Sequence, residues 1–417
     1  MHRNTMKHAY HQLHAGFRSA VKKLVATLCS LGYADTTVSF YEQGAVHFSF
    51  WLAKRRISLS QIKESHFTDF LSHHLPMCSC RFVGVRQRNT VRAGLGHFAA
   101  ILRSAGYLAP TEASDVDAVD LEVRRFDDYM LNTAGLQDAT RLYRRRYVRE
   151  FLDDFFPDGD IDISGLVPKK IVSYLSKRSA RIKAASTKVL ASSLRSYFRF
   201  LRLHGRCKED LVLAVPASAS WRLAPLPPAL TDEEIARLLS VFDRGTGAGR
   251  RDYAITRCLL DLGLRSREVA RLRLEDVDWR KGILRIVGSK SRRDDELPLT
   301  AAIGAAIAAY IRRDRPKTTS REVFLRLRAP VGQPMTRSTI GNLILRAAAR
   351  AGMESAVTGP RILRHTAATR MLQRGASIKE IADVLRHRCL DTTAIYTKVD
   401  LPRLRAVALP WPIKGDL

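Results

Sequence analysis

Between residues 263 and 396 the chain carries four short motifs whose residue types suit the breaking of a phosphodiester. They are Gly263-Leu-Arg265-Ser-Arg-Glu268, a lysine at 290, Arg361-Ile-Leu-Arg364-His365, and Leu385-Arg-His387 followed nine residues later by Tyr396. Cleaving such an ester without a metal needs a nucleophile, cations on the non-bridging oxygens and an acid for the leaving oxygen. A tyrosine phenol can attack phosphorus and keep the bond as a phosphotyrosine. A planar guanidinium can clamp two phosphate oxygens at once. Taken singly these residues are ordinary, because an arginine is by default a solvated helix face and a tyrosine a half-buried core residue. Their order and spacing are what require a common explanation.

The motifs must be held by separate elements. Arg265 opens an amphipathic stretch, and Arg361 begins another. Residues 282–287 and 296–299 alternate like strands, with a polar connection at 288–295 that carries Lys290. Upstream, residues 215–230 hold four prolines without a helical period and read as an extended linker. Thr231-Asp-Glu-Glu234 has the form of a capping box, so a domain is expected over 231–412. The N-terminal half reads as two helical modules, 1–110 and 118–208, joined by an acidic, Ala-rich connector. The first module looks like a copy of the second. Gly32 falls on Gly135 and Phe48 on Phe151 at an offset of 103, and Leu95, Phe98, Leu102 and Gly106 fall on Leu194, Tyr197, Leu201 and Gly205 at 99.

This ordered set resembles the tyrosine recombinase (phage integrase) family of site-specific DNA recombinases, and the resemblance runs over residues 120–410. It implies a mainly helical fold with a small β-hairpin or sheet in the C-terminal domain. Helical N-terminal modules, the second of them a SAM-like core-binding domain, would precede a mixed α/β catalytic domain. The reaction implied is integration or transposition of DNA through a 3′-phosphotyrosyl link, each step a transesterification that needs no cofactor. Tyr396 takes the nucleophile's place, Arg265 and Arg364 those of the phosphate clamps, and Lys290 that of the general acid. His387 matches the residue that bonds the scissile phosphate, and Glu268 one that orients the arginines. The partner implied is double-stranded DNA bearing recombination sites, gripped by a homo- or hetero-tetramer linked through the tail after Tyr396. Two positions depart from the pattern. Arg361 stands where a histidine is usual and cannot accept the phenol's proton, and Arg386 replaces the glycine before His387. His365 reads as a helix-packing residue.

Charge points the same way. Seventy Lys and Arg against 41 Asp and Glu leave a net +29, too much to hide in cores, and a polyanion is the natural partner. Runs such as Arg141-Leu-Tyr-Arg-Arg-Arg-Tyr-Val-Arg149 put an apolar stripe inward and a basic face outward. Lys188, Arg195 and Arg199 are the candidate backbone contacts. No apolar run is long enough to span a bilayer, and no signal peptide is expected, which suggests a cytoplasmic, nucleoid-associated protein. The six cysteines show no zinc or disulfide framework, with Cys78-Ser-Cys80 a weak pair, and no metal site is expected. Asp294-Asp-Glu296 could suggest a metal nuclease, but adjacent carboxylates on a strand point to opposite faces. The rival reading is a DNA-binding member of a multi-recombinase complex with weak or no catalysis, which Arg361 favours. A relaxing topoisomerase would use the same nucleophile and cations.

Overall fold

The computed structural model describes residues 13–80, 85, 87–108, 117–157, 161–207, 210–216, 228–287, 294–387, 393 and 395–396. The chain forms two units, one of residues 109–221 and the other of 1–108 together with 222–417. The N-terminal segment comprises α1 (Ala15–Ser30), α2 (Asp35–Lys54) and α3 (Glu64–Asp69). The last runs directly into a π-helical turn, Phe70–His74, and α4 (Arg88–Ser104) follows. Its apolar faces meet in one core that includes Leu24, Leu28, Phe48, Phe70, Phe98 and Leu102. The unit of residues 109–221 holds α5 (Ala118–Asn132), α6 (Asp138–Phe155), α7 (Pro168–Ser179) and α8 (Ala184–Leu203) around Phe126, Phe151, Leu194, Tyr197 and Leu201. At the positions matched in sequence, Phe48 and Phe151, Phe98 and Tyr197, and Leu102 and Leu201 are all fully buried. Gly32 and Gly135 follow the first helix of their segments with φ of 75° and 58°, a left-handed backbone that glycine adopts without a Cβ clash.

In the C-terminal part, Thr231 caps α9 (Asp232–Ser240) as its sequence predicts. Its Oγ1 accepts from the Glu234 amide (3.2 Å), and Glu234 Oε2 accepts from the Thr231 amide (2.9 Å). Then come α10 (Gly247–Asp261) and α11 (Ser266–Arg271), followed by β1 (Val277–Asp278), β2 (Ile283–Ile286) and β3 (Asp295–Pro298), an antiparallel sheet in that order. The expected hairpin is present, its first arm shorter by one residue at each end and its second shifted by one residue, with Leu284 opposite Leu297 and Arg285 opposite Glu296. Leu284, Ile286 and Leu297 face the core, while Arg285 pairs with Glu296 at 3.3 Å. The added edge strand β1 has two residues, too few to show an alternation in sequence. Helices α12 (Ala301–Arg313), α13 (Arg337–Arg350), α14 (Arg361–Gln373) and α15 (Ile378–Val384) complete the domain, and α10 packs against α12 and α14 at its centre. Residues 217–227 of the expected linker, Lys290 and the tail after Tyr396 lie outside the described residues. Among the described residues no helix is long and apolar enough to cross a membrane.

Candidate active site

The site begins at Gly263, between α10 and α11. Its φ is 59°, and a Cβ there would lie 2.5 Å from Leu385 Cδ2 and 3.4 Å from the Ala367 Cβ. Its conformation favours glycine, and a side chain there would also push the Leu385 methyl aside. The approach brings the Gly263 carbonyl within 2.5 Å of Arg364 on α14, whose guanidinium donates to it and to the Leu385 carbonyl. One arginine thus ties together the ends of α10, α14 and α15.

Glu268 on α11 is the hub of the cations. Its Oε1 accepts from the Arg265 guanidinium (2.7 Å), and its Oε2 accepts from the Arg265 amide (2.8 Å) and from Arg386 (2.7 Å). Burial opposes its ionisation. The Arg386 charge and the Arg265 hydrogen bonds outweigh that and hold its carboxyl below the usual carboxylate range. Arg364 is buried beside Arg265 and Arg386, and this desolvation together with the like charges lowers its pKa to about 9, still cationic at neutral pH. Three guanidiniums around one carboxylate leave an excess of positive charge, and Arg265 is its more open face.

Tyr396 is buried, packed on Ala368, Leu372, Ile381 and Leu385. Burial raises its phenol's pKa against the lowering influence of Arg364 and Arg361. Its Oη lies 2.8 Å from His365 Nδ1. Arg361, exposed at the start of α14, donates from Nε to His365 Nε2 at 3.1 Å. An arginine cannot accept, so Nε2 must. Burial and the Arg361 and Arg364 charges hold His365 at a pKa of about 4, hence neutral at pH 7, and its one proton sits on Nδ1. His365 therefore donates to the phenol oxygen. This corrects the packing role expected for His365. The readable signal was its i,i+4 spacing from Arg361, which puts both on one helix face. His387 contacts Thr393 through Nδ1 (2.6 Å), and burial with Arg364 and Arg265 nearby also lowers its pKa to about 4.

Sequence and structural comparisons identify the family and the fold. Residues 228–402 match the phage integrase family and residues 123–205 its N-terminal SAM-like domain. Integrase/recombinase y4rA of Sinorhizobium fredii (strain NBRC 101917 / NGR234) is 38% identical over 88% of each chain. The chain belongs to the phage integrase family of tyrosine recombinases. Tyrosine recombinase XerA of Thermococcus kodakarensis is 30% identical over 68% of this recombinase and 92% of its own length. The fold is that of the XerH site-specific recombinase bound to palindromic difH (TM-score 0.57, 17% identity, 71% of this chain and 97% of that one). A lambda integrase dimer on a COC′ core site is similar, with TM-score 0.54, 17% identity, and 71% and 99% coverage. Neither comparison favours the non-catalytic reading.

In this recombinase Arg386 has φ 53°, the left-handed backbone that a glycine would occupy without strain. Its side chain turns inward to Glu268 and the Val384 carbonyl, serving as a strut instead of facing phosphate. Of the expected DNA contacts, Lys188 and Arg199 are exposed on α8, whereas Arg195 donates to the Pro216 carbonyl at 2.9 Å. The basic run on α6 is less open than its pattern suggests. Arg141 and Arg145 pair with Asp127, Arg146 with Glu150, and Arg149 with Asp120. Arg144 and Arg199 lie close enough for the Arg199 charge, after burial, to lower the Arg144 pKa.

Proposed function

We propose that this recombinase cuts one DNA strand by attack of Tyr396 Oη on a phosphodiester held by Arg265 and Arg364. The O–P bond to tyrosine forms as the P–O5′ bond breaks. Lys290 gives the leaving 5′ oxygen its proton, and His387 donates to a non-bridging oxygen. The phenol's proton passes to water or the phosphate, because Arg361 cannot take it and a histidine of pKa about 4 is a weak sink. His365 Nδ1–H steadies the negative charge that develops on Oη. The 5′-hydroxyl of a partner strand then attacks the phosphotyrosine and the steps run in reverse. One ester replaces another throughout, so no nucleotide is consumed.

The observation that carries this reading is the chain Arg361–His365–Tyr396 beside the buried Arg364. Lys188, Arg199 and Arg144 serve as backbone contacts, duplex DNA with recombination sites is the substrate, and the tail after Tyr396 links protomers of a tetramer. The expected location is the bacterial cytoplasm, at the nucleoid. The deciding experiment incubates the protein, without added divalent metal, with DNA carrying the ends of its encoding element. A nick beside the scissile phosphate lets the leaving fragment diffuse away. A denaturation-resistant protein–DNA band that disappears in Tyr396→Phe supports the mechanism. Absence of the band on DNA that the protein binds refutes it.

A further inference from the structure

Away from the arginine cluster, the N-terminal segment gathers four side chains that the recombination chemistry does not use. His47 lies in the middle of α2, His74 ends the π-helical turn, and Cys78 and Cys80 follow on the next turn of chain. One ligand-type atom from each lies within 4.8 Å of all the others. His47 Nε2 is 3.1 Å from His74 Nε2 and 3.4 Å from Cys78 Sγ, and Cys80 Sγ is 3.8 Å from His74 Nε2.

We propose that His47, His74, Cys78 and Cys80 bind one Zn2+ ion that fastens the 74–80 segment to α2. A tetrahedral ion with bonds of about 2.0–2.1 Å to nitrogen and 2.3 Å to sulfur sets its ligand atoms about 3.3–3.8 Å apart, and the three closest pairs here, at 3.1, 3.4 and 3.8 Å, need only small side-chain shifts to reach it. Two thiolates with two imidazoles favour zinc, and the set contains no carboxylate of the kind that calcium and magnesium prefer. Both histidines present the same ring nitrogen to one point. Without an ion only one of these can carry the proton between them, and the two sulfurs add further lone pairs.

The surroundings fit an ion as well. The Cys80 amide donates to Cys78 Sγ at 3.3 Å, the kind of contact that steadies a metal-bound thiolate. Phe70 packs edge-on against the His47 ring with centroids 4.9 Å apart, and Trp51 and Phe70 flank His74 at 5.9 and 5.2 Å. These aromatic walls line one side of the cluster, in which His47 and Cys78 are buried and His74 and Cys80 half-buried. The π-helical turn places His74 toward α2, and such single turns recur at functional positions. The spacing, 26 residues between the histidines and then Cys-Ser-Cys after three more, is unlike that of a zinc finger, so cysteine arithmetic does not detect it.

The test uses the full-length chain, purified through a tag without histidines, with metals counted by mass spectrometry. The expected result is one zinc per chain in the wild type and in Tyr396→Phe, and at least a tenfold loss in Cys78→Ser/Cys80→Ser. Replacement by Co2+ should give intense tetrahedral visible bands and a thiolate charge-transfer band, both missing from the double variant. If that variant does not fold, His74→Cys decides: it keeps four ligands and should retain zinc, with a stronger thiolate band in the cobalt form. A folded wild-type chain that carries no stoichiometric zinc and gives no tetrahedral cobalt spectrum overturns the proposal. Equal zinc in the wild type and a folded double variant does so too. None of these outcomes depends on DNA cleavage.

Discussion

Tyr396 starts from a buried, hydrogen-bonded position that favours the neutral phenol, so the cost of generating phenolate falls on its neighbours. His365 is the one in contact. Replacing it by phenylalanine keeps a ring of similar size and removes the Nδ1–H donor. Loss of a comparable oxyanion donor costs about 10²-fold in rate. His365→Phe should therefore slow single-turnover cleavage by about that factor while DNA affinity stays the same. An unchanged cleavage rate would sink the assignment. The two histidines also set a pH dependence of folding. A histidine in the unfolded chain binds a proton near pH 6.5, whereas His365 and His387 resist protonation until about pH 4. Between these values the unfolded chain takes up protons that the folded one refuses, so stability falls as pH drops from about 6.5 to about 4. After discounting for partial exposure, each contributes on the order of 1–2 kcal/mol. Urea midpoints measured across this range should fall less steeply in His387→Gln, and an identical slope would contradict the burial argument.

Helices α11, α14 and α15 are joined at the site by charge as well as by apolar packing. Glu268 bridges Arg265 and Arg386, and Arg364 reaches carbonyls on both sides. Breaking one member of a buried ion cluster strands the others, at about 3–5 kcal/mol, while replacing a whole pair by apolar groups is often near neutral. Glu268→Gln should therefore be strongly destabilising in a urea melt, and adding Arg386→Met should restore much of the loss. If the two losses simply add, Glu268 and Arg386 are not coupled. The elements of this domain were legible because each announces itself locally: Thr231 by its cap, the hairpin by alternation, α14 by its motif. The strut role of Arg386 was not, because the sequence shows a missing glycine but not the direction an arginine takes from a left-handed backbone. The His365–Tyr396 bond spans 31 residues and the histidine–cysteine cluster 33, and only tertiary packing closes such distances. The basic face expected of α6 is outward but largely ion-paired for the same reason, since Asp127 and Asp120 come from α5.

At the scale of the molecule, a net charge of +29 invites the expectation of very steep salt dependence. The pairing of arginines argues for a gentler one. Each phosphate neutralised contributes about 0.9 to the slope of log affinity against log salt, and an arginine already satisfied by a carboxylate contributes less. Arg145, bonded to Asp127 at 2.9 Å, belongs to the satisfied class, while exposed Arg199, whose charge bears on Arg144, belongs to the available class. Arg199→Ala should weaken binding to all duplexes alike and reduce the slope by about 1. Arg145→Ala should leave the slope nearly unchanged and lower stability by no more than about 1 kcal/mol, the measure of a partly exposed pair. Titrations of a labelled duplex at several salt concentrations separate the two. If both variants lost the same slope, the ion pairs within the helical module would have to open on binding, and the available charge would have to be counted from the whole basic surface.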